Sequence, residues 1–211
     1  MWDKLEKPWQ TCFELGWTSF KKGSIPIGAV IVDDTGEIIA KGRSLQYESE
    51  GEIGEIKRHK LSHAELNALL KVSEFDYPNI RKYSLYSTTE PCPLCFGALV
   101  MANVRNLQFA ARDRFAGGTE LNKKSEYIAS KNINITGPFK DLEKIQITIH
   151  SAYELIRSNN SERILNAWKI DSLESVEYGI KLFKDKTLQV LKEKDVLASE
   201  VFEIIREIHD I

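Results

Sequence analysis

Two short clusters of polar side chains constrain the fold of this chain most strongly, because they must meet although they lie far apart in sequence. His63 is followed two residues later by Glu65, and Cys92 and Cys95 come 29 and 32 positions after the histidine. Histidine nitrogens and cysteine thiolates are side chains that zinc prefers in proteins. Three such ligands leave the fourth corner of a tetrahedral zinc open to water, which is typical of a catalytic site. The sequence therefore predicts a catalytic Zn²⁺ site at His63, Cys92 and Cys95.

The segment after His63 predicts a helix that begins close to the metal. Apolar residues recur at helical spacing through segment 64–70. Because helix positions two apart do not face each other, His63 and Glu65 are not expected to bind one ion side by side. From the first turn of the helix, the Glu65 carboxylate can instead reach a water molecule at the metal. This geometry assigns Glu65 as the catalytic proton carrier.

The two cysteines predict a second helix start. Cys92 and Cys95 are three residues apart, so they share one face of a helix, and Pro93 suits the first helical position. Unpaired backbone N–H groups and the helix dipole at that end favour negative charge, which stabilises thiolates. The site is therefore expected to form between two helix starts.

Other interpretations of these residues remain open from spacing alone. A single Cys-x-x-Cys pair is also typical of redox proteins. A structural zinc would need a fourth protein ligand, and Cys12, His59, His150 and His209 have no metal-ligand spacing to the cluster. Cys12 is interpreted as a small core residue on an N-terminal helix.

Two longer motifs around these residues resemble a known family. His-Ala-Glu at 63–65, with Thr-Glu-Pro-Cys-Pro-Leu-Cys at 89–95, resembles the cytidine and deoxycytidylate deaminase superfamily, nearest to its tRNA-adenosine, guanine and cytosine deaminase branch. The resemblance runs from about residue 9 to about residue 138. It implies that His63, Cys92 and Cys95 bind zinc and that Glu65 shuttles protons. It also implies an α/β, three-layer α-β-α fold with a central mixed five-stranded sheet, and a homodimer.

The resemblance also suggests substrate contacts. Many relatives place a base-contacting asparagine shortly after the second strand, where Ser44 stands in this chain, and Gln46 is a candidate substitute. Ala64 in the metal motif and Asp113 further along complete the set of candidate contacts. The alternative is that Ser44 and Gln46 are ordinary polar loop residues and that Asp113 anchors a turn.

Composition limits the class of protein. The chain has 211 residues, of which 42% are hydrophobic and 28% charged, enough for one sizeable core. It has no run of about 18 apolar residues and no signal-peptide pattern, and its three cysteines cannot all pair, so a cytoplasmic protein without a membrane segment is expected. The net charge of −2 offers no general basic surface, which weighs against a tRNA substrate.

Alternating patterns predict strands and helices through the first 140 residues. Helices are predicted at 8–22, 64–70 and 93–102, and strands at 25–32, 37–41, 83–87, 107–111 and 133–136. Residues 1–140 are interpreted as a zinc-dependent deaminase domain. Residues 141–211 are interpreted as a C-terminal helical extension, packed on the core or on a dimer partner, with amphipathic helices at 161–168, 173–183 and 196–208.

These features lead to one main function and two alternatives. The main prediction is a zinc-dependent hydrolase of C–N bonds other than peptide bonds. It would convert the exocyclic amine of a nucleobase, nucleoside or related small ring to a keto group and release ammonia. The first alternative is a tRNA adenosine-to-inosine deaminase. The second is a catalytically silent zinc-containing subunit, which the presence of Glu65 opposes.

Overall fold

A mixed five-stranded sheet forms the centre of the structure, a computed structural model that describes residues 1–158 and 161–211. The strand order is β2-β1-β3-β4-β5. Strand β1 pairs antiparallel with β2 and β3, whereas the β3–β4 and β4–β5 pairs are parallel. The predicted mixed five-stranded sheet is thus confirmed. The strand bounds are β1 Gly28–Val32, β2 Ile38–Arg43, β3 Ser84–Thr89, β4 Asn106–Ala111 and β5 Asn134–Thr136.

Helices surround the sheet. Two short 3₁₀ turns also occur, at Trp2–Lys4 and Ile80–Lys82. The helices of the described residues are α1 Lys7–Lys21, α2 Ala64–Leu69, α3 Pro93–Met101, α4 Leu121–Lys124, α5 Glu126–Ala129, α6 Lys140–Arg157, α7 Glu162–Lys184, α8 Thr187–Glu193 and α9 Ala198–Ile208.

The side-chain alternation of β1 shows how the layers form. Ala29 and Ile31 pack with α2 and α3, whereas Val30 and Val32 pack with α1 and α6. Because successive strand residues point to opposite faces, a strand with five buried residues must be covered on both sides. The predicted three-layer α-β-α arrangement is confirmed.

The start of β1 differs from the sequence prediction. Segment 25–32 is predicted as one strand, but the strand begins only at Gly28. The Pro26 carbonyl accepts a hydrogen bond of 2.9 Å from Gln146 Nε2 of α6, and Ile27 accepts one of 3.2 Å from the Ser44 N–H. Proline also has no N–H for a ladder. The entry to β1 is therefore held by α6 and by the segment after β2.

The C-terminal helices share the core with α1. The rings of Phe13 in α1 and Phe202 in α9 lie edge to face with centroids 5.2 Å apart. Trp17 Nε1 donates a hydrogen bond of 2.9 Å to the carbonyl of Val196, just before α9. The predicted division of the chain at residues 140 and 141 stays a prediction.

Two predicted helices of the extension belong to one element. Segments 161–168 and 173–183 both lie in α7, which is interrupted at Ser172 by a non-helical backbone (φ −138°, ψ 49°). A further helix, α8, follows in a segment for which the sequence indicated no element. Within the described parts of the chain, no helix combines the length and apolar character needed to cross a lipid bilayer.

Candidate active site

The candidate metal ligands meet at two helix starts, as the motif spacing predicts. His63 is the N-cap of α2 and Cys92 the N-cap of α3, with Cys95 in the first turn of α3. The His63 Nδ1 atom lies 3.5 Å from the Cys92 sulfur and 3.3 Å from the Cys95 sulfur, and the three ligand atoms lie within 4.8 Å of one another. Zn–S bonds of about 2.3 Å and Zn–N bonds of about 2.0 Å place tetrahedral ligands about 3.5 Å apart. The cluster therefore fits a zinc ion.

The electrostatics of the cluster favour a thiolate. A hydrogen bond from Cys95, assisted by one from His63, lowers the pKa of the Cys92 thiol to about 4. The position of Cys92 at the N-terminus of a helix favours negative charge as well. Cys92 is therefore ready to bind a cation at neutral pH, because the thiolate is the form that ligates metal.

Glu65 is buried beside the cluster. Its side chain is 3% exposed, and the Ser87 hydroxyl donates a hydrogen bond of 3.0 Å to its Oε1. Burial raises the pKa of the Glu65 carboxyl, and the nearby His63 opposes that rise. A bound dication would also oppose it. A carboxyl group with a raised pKa can both donate and accept protons near neutral pH.

Close backbone packing sets the position of α2 under the cluster. A Cβ added to Gly42 of β2 would lie 2.2 Å from the carbonyl oxygen of Ala64 and 2.4 Å from the nitrogen of Ala68. The Asn67 side chain also ties α2 to its surroundings: it donates to the Arg43 carbonyl at 3.1 Å and accepts from the Ile56 N–H at 2.9 Å. The absence of a side chain at Gly42 therefore permits the helix position that brings His63 to the cysteines.

A cavity of about 160 Å³ lies at the metal cluster. His63, Glu65 and Cys92 line it from the α2 and α3 side. The side chains of His150 and Glu154 from α6, with Ile164 and Trp168 from α7, line it as well. A wider cleft of about 560 Å³ runs along β2 and is lined by none of these residues. The cavity at the metal cluster is thus bounded by the C-terminal helices as well as by the two metal-ligand motifs.

Asp113 lines the same cavity and anchors the turn that follows β4. Its Oδ1 accepts hydrogen bonds from the Phe115 N–H at 3.0 Å, the Ala116 N–H at 3.1 Å and Trp168 Nε1 at 2.9 Å. Asp113 therefore anchors this turn, as the alternative interpretation of the sequence expected. A contact between Asp113 and substrate stays a prediction.

The other candidate substrate contacts lie elsewhere. Among the described residues, those that line the cavity do not include Ser44, Gln46 or Ala64. Ser44 is buried, and its hydroxyl has no hydrogen-bond partner within residues 1–158 and 161–211. Gln46 Nε2 donates to the Lys60 carbonyl at 3.2 Å and so braces the loop before α2. The substrate roles of these three residues stay predictions.

Sequence reasoning missed several residues of the cavity wall. Glu90 is buried beside it and accepts hydrogen bonds from the Asp113 N–H at 3.2 Å and from Thr119. His150 and Glu154 were also missed; they are four apart on α6 and so share one helix face. A carboxylate next to the cysteine motif and a polar pair in an apolar helix are the signals that could have indicated them.

Comparisons with known proteins agree with the motifs. Residues 3–111 match the profile of the cytidine and deoxycytidylate deaminase zinc-binding region. A tRNA-specific adenosine deaminase from Haemophilus influenzae is 30% identical over 62% of this chain and 73% of that protein. The enzyme of the same name from Bacillus subtilis is 35% identical over 50% of this chain and 62% of that protein. A solved guanine deaminase from Bacillus subtilis is 26% identical, covers 56% of this chain and 76% of its own, and superposes with a TM-score of 0.42.

The profile match covers more than half of the chain and includes His63, Glu65, Cys92 and Cys95. The chain belongs to the cytidine and deoxycytidylate deaminase family, whose zinc-binding region it contains.

Proposed function

We propose that this chain is a zinc-dependent hydrolase that removes the exocyclic amine from a small nucleobase-like ring and releases ammonia. The observation that carries the proposal is the shared cavity: His63 and Cys92, two of the three candidate metal ligands, line the same space of about 160 Å³ as the buried Glu65 carboxyl. A metal site and a proton carrier with a raised pKa are what hydrolytic deamination requires.

The residues of the site have distinct roles in this proposal. His63, Cys92 and Cys95 would hold zinc, which when bound supplies Lewis-acid activation of water at neutral pH. Glu65 gives its proton to the ring nitrogen beside the amine-bearing carbon, which makes that carbon electrophilic. The water oxygen bonds to that carbon and gives one proton to Glu65, which delivers it to the amine. The C–N bond breaks and ammonia leaves, while the remaining hydroxyl proton returns to Glu65 and the water oxygen becomes the keto oxygen. The Ser87 hydroxyl orients the Glu65 carboxyl for these transfers.

The size and lining of the cavity support a single ring system as the substrate. A cavity of about 150 Å³ holds one benzene molecule in another protein, so about 160 Å³ suits a nucleobase-sized ring. Ile25, Ile27, Ile164 and Trp168 supply apolar surface for the faces of such a ring.

A second candidate is adenosine-to-inosine deamination in tRNA. The relatives from Haemophilus influenzae and Bacillus subtilis are named tRNA-specific adenosine deaminases, which favours this candidate. The net charge of −2 and the helices α6 and α7 beside the cavity weigh against a large polyanionic substrate. A catalytically silent subunit is disfavoured by the burial of Glu65 next to the metal ligands.

Ammonia release from a defined panel separates these functions. The zinc-loaded protein would be incubated with cytosine, guanine, adenine, their nucleosides and unmodified tRNA. Turnover of a free base or nucleoside at a higher kcat/KM than tRNA is the expected result. Turnover of tRNA alone, with affinity that falls steeply with salt, would replace the proposal by the second candidate. No ammonia from any compound at full zinc occupancy would support the silent subunit.

The quaternary structure and location implied by the resemblance also stay predictions. Leu94 and Met101 of α3 are exposed apolar side chains, at 39% and 68%, and are candidates for a surface between two copies. Sedimentation analysis of the zinc-loaded protein tests the homodimer, and fractionation of the source cells tests the cytoplasmic location.

A further inference from the structure

One wall of the cavity comes from outside the region that identifies the family. The profile match ends at residue 111, whereas His150 and Glu154 lie on α6 and Trp168 lies on α7. Helix α6 packs on the sheet face opposite the one covered by α2 and α3. The cavity therefore has the metal ligands on one side and this polar wall, defined by His150, Glu154 and Trp168, on the other.

Glu154 is held rigidly and keeps one carboxylate oxygen available. Its side chain is buried, and Oε2 accepts a hydrogen bond of 2.9 Å from Arg157, which also donates to the Tyr47 hydroxyl at 3.2 Å. The other oxygen, Oε1, lies 3.8 Å from His150 Nε2. That separation is too long for a hydrogen bond. Glu154 Oε1 is thus an acceptor placed at the cavity with its geometry fixed by Arg157.

His150 offers a second polar atom in the same wall. The residue is 5% exposed, and its Nδ1 atom has no hydrogen-bond partner within residues 1–158 and 161–211. Its ring lies against the Trp168 ring, with centroids 4.6 Å apart, and Trp168 is itself fixed by its hydrogen bond to Asp113. A buried polar atom without a partner is destabilising unless a ligand or water satisfies it. His150 is therefore a second polar residue of this wall, held in place beside Glu154.

The position of this wall selects one kind of ring. In cytosine the nitrogen that carries the sugar in a nucleoside lies across the ring from the carbon that bears the amine, and in purines it lies on the far five-membered ring. A free base has an N–H group at that nitrogen, whereas a nucleoside has a glycosidic bond there. A carboxylate oxygen accepts an N–H but finds no donor in a glycosidic nitrogen.

We propose that Glu154 Oε1 accepts the ring N–H of a free nucleobase, with His150 beside it in the cavity wall, so that this wall makes the enzyme selective for free bases over nucleosides. The inference rests on the proposed deaminase function and names its substrate class. Glu154 is thereby a specificity-determining residue supplied by the C-terminal helices.

The first test uses the unaltered zinc-loaded protein. For whichever base releases ammonia, kcat/KM is compared for the base, its derivative methylated at the glycosidic nitrogen, and its nucleoside. The methyl group removes the N–H without adding a sugar, and we expect a loss of at least about 10-fold for both derivatives, as for a missing charge-assisted hydrogen bond. Equal turnover of the base and its methyl derivative would overturn the inference. This comparison uses no variant, so it tests the inference even if Glu154→Gln fails to fold.

The second test uses a matched pair of variants. Glu154→Gln keeps the side-chain shape and removes the charged acceptor, and we expect kcat/KM for the base to fall about 10- to 100-fold while the preference over the methyl derivative narrows. Glu177→Gln changes an exposed carboxylate on α7 and is expected to stay within about twofold of the unaltered protein. Calorimetric Kd values for the base and its methyl derivative on Glu65→Gln give the same comparison without turnover.

The outcomes separate this inference from the function on which it rests. Deamination of bases and nucleosides alike, or a folded, zinc-loaded Glu154→Gln with unchanged selectivity, overturns the inference and leaves the deaminase proposal intact. No ammonia from any compound of the panel overturns the deaminase proposal and this inference with it.

Discussion

Replacement of Gly42 by alanine is expected to displace α2 and weaken the metal site. An added Cβ would lie 2.2 Å and 2.4 Å from two backbone atoms of α2, whereas ordinary van der Waals contact begins at 3.4 Å. Backbone atoms cannot rotate away as a flexible side chain can. Strand β2 and helix α2 must therefore separate by about 1 Å, the difference between these distances.

The expected magnitude follows from this displacement. Overpacking of a well-packed core costs about 1–3 kcal/mol of unfolding free energy. His63 and Glu65 move with α2, whereas Cys92 and Cys95 stay with α3, so the His63–sulfur distances of 3.3 and 3.5 Å would lengthen. A misplacement of about 1 Å near reacting groups can lower activity about 100-fold. Stability, zinc retention and turnover should all fall.

Urea unfolding followed by circular dichroism, with zinc retention against a fixed chelator concentration, measures the effect. Gly97→Ala is the matched control, because a Cβ at Gly97 of α3 would meet no neighbouring atom of the described residues within 4 Å. Alanine in a helix is favoured over glycine, so the control should gain about 0.5–1 kcal/mol. A Gly42→Ala protein with unchanged unfolding free energy and zinc retention would refute this packing argument.

Three further predictions concern the metal, the acid response and the polar wall. Cys92→Ser should lose stoichiometric zinc, measured by plasma emission after dialysis, whereas Cys12→Ala in the core should keep it. Burial lowers the pKa of His209 below its usual 6.5, so its imidazole binds a proton more tightly in the unfolded chain than in the folded protein. The contribution of the neutral His209 to the free energy of unfolding should be complete above about pH 6.5 and should decline below it, by at most about 1.4 kcal/mol per pH unit. Urea unfolding of His209→Gln at several pH values should therefore show a free energy of unfolding that falls less steeply with acid. Trp168→Phe should lower the unfolding free energy by about 1–2 kcal/mol, because Asp113 loses one hydrogen-bond donor.

Each of these predictions has a contrary outcome. Full zinc content in Cys92→Ser would remove that residue from the metal site. An identical pH response in His209→Gln would show that the buried imidazole does not titrate with unfolding. An unchanged unfolding free energy in Trp168→Phe would show that its hydrogen bond to Asp113 contributes nothing net.

The meeting of the metal ligands could be predicted because each ligand motif carries its own signal for a helix start. His63 and Cys92 each directly precede a helix, and Pro93 favours the start of the second one. Parallel pairing of β3 with β4 and the short connection from β3 to α3 then fix where the second helix start lies. The geometry confirms that the ligand atoms meet, whereas zinc binding by these particular residues stays a prediction.

The sequence pattern of helix α6 is harder to interpret than the metal-ligand motifs, because the helix is buried on two sides. Ile145 and Ile149 pack with the core around α1, whereas Thr148 donates a hydrogen bond of 3.2 Å to the Ser175 carbonyl of α7. A Cβ added to Gly179 of α7 would lie 2.6 Å from the Cβ of Ser151, so small residues allow a close crossing. Buried polar residues such as Thr148 and Ser151 interrupt the apolar pattern of α6, so the sequence does not show which of its faces are buried.

The polar wall of the cavity is a tertiary feature that local patterns do not encode. His150 and Glu154 reach the cavity only because α6 packs across the sheet from α2 and α3. The resemblance offered Ser44 as one candidate substrate contact; Ser44 is buried and is not among the residues that line the cavity, and its substrate role stays a prediction. The path of the loop after β2 depends on hydrogen bonds within the loop, such as the one from Gln46 to the Lys60 carbonyl. Sequence spacing does not reveal such contacts.

The most direct test of the proposed chemistry is the rate of ammonia release by Glu65→Gln relative to the unaltered protein at equal zinc content. The variant keeps the size of the buried side chain and removes its ability to carry a proton. General acid–base catalysis contributes about 100- to 10,000-fold, so the rate should fall by at least about 100-fold while zinc stays bound. A zinc-loaded Glu65→Gln protein that releases ammonia within about twofold of the unaltered rate would contradict the assignment of Glu65 as the proton carrier.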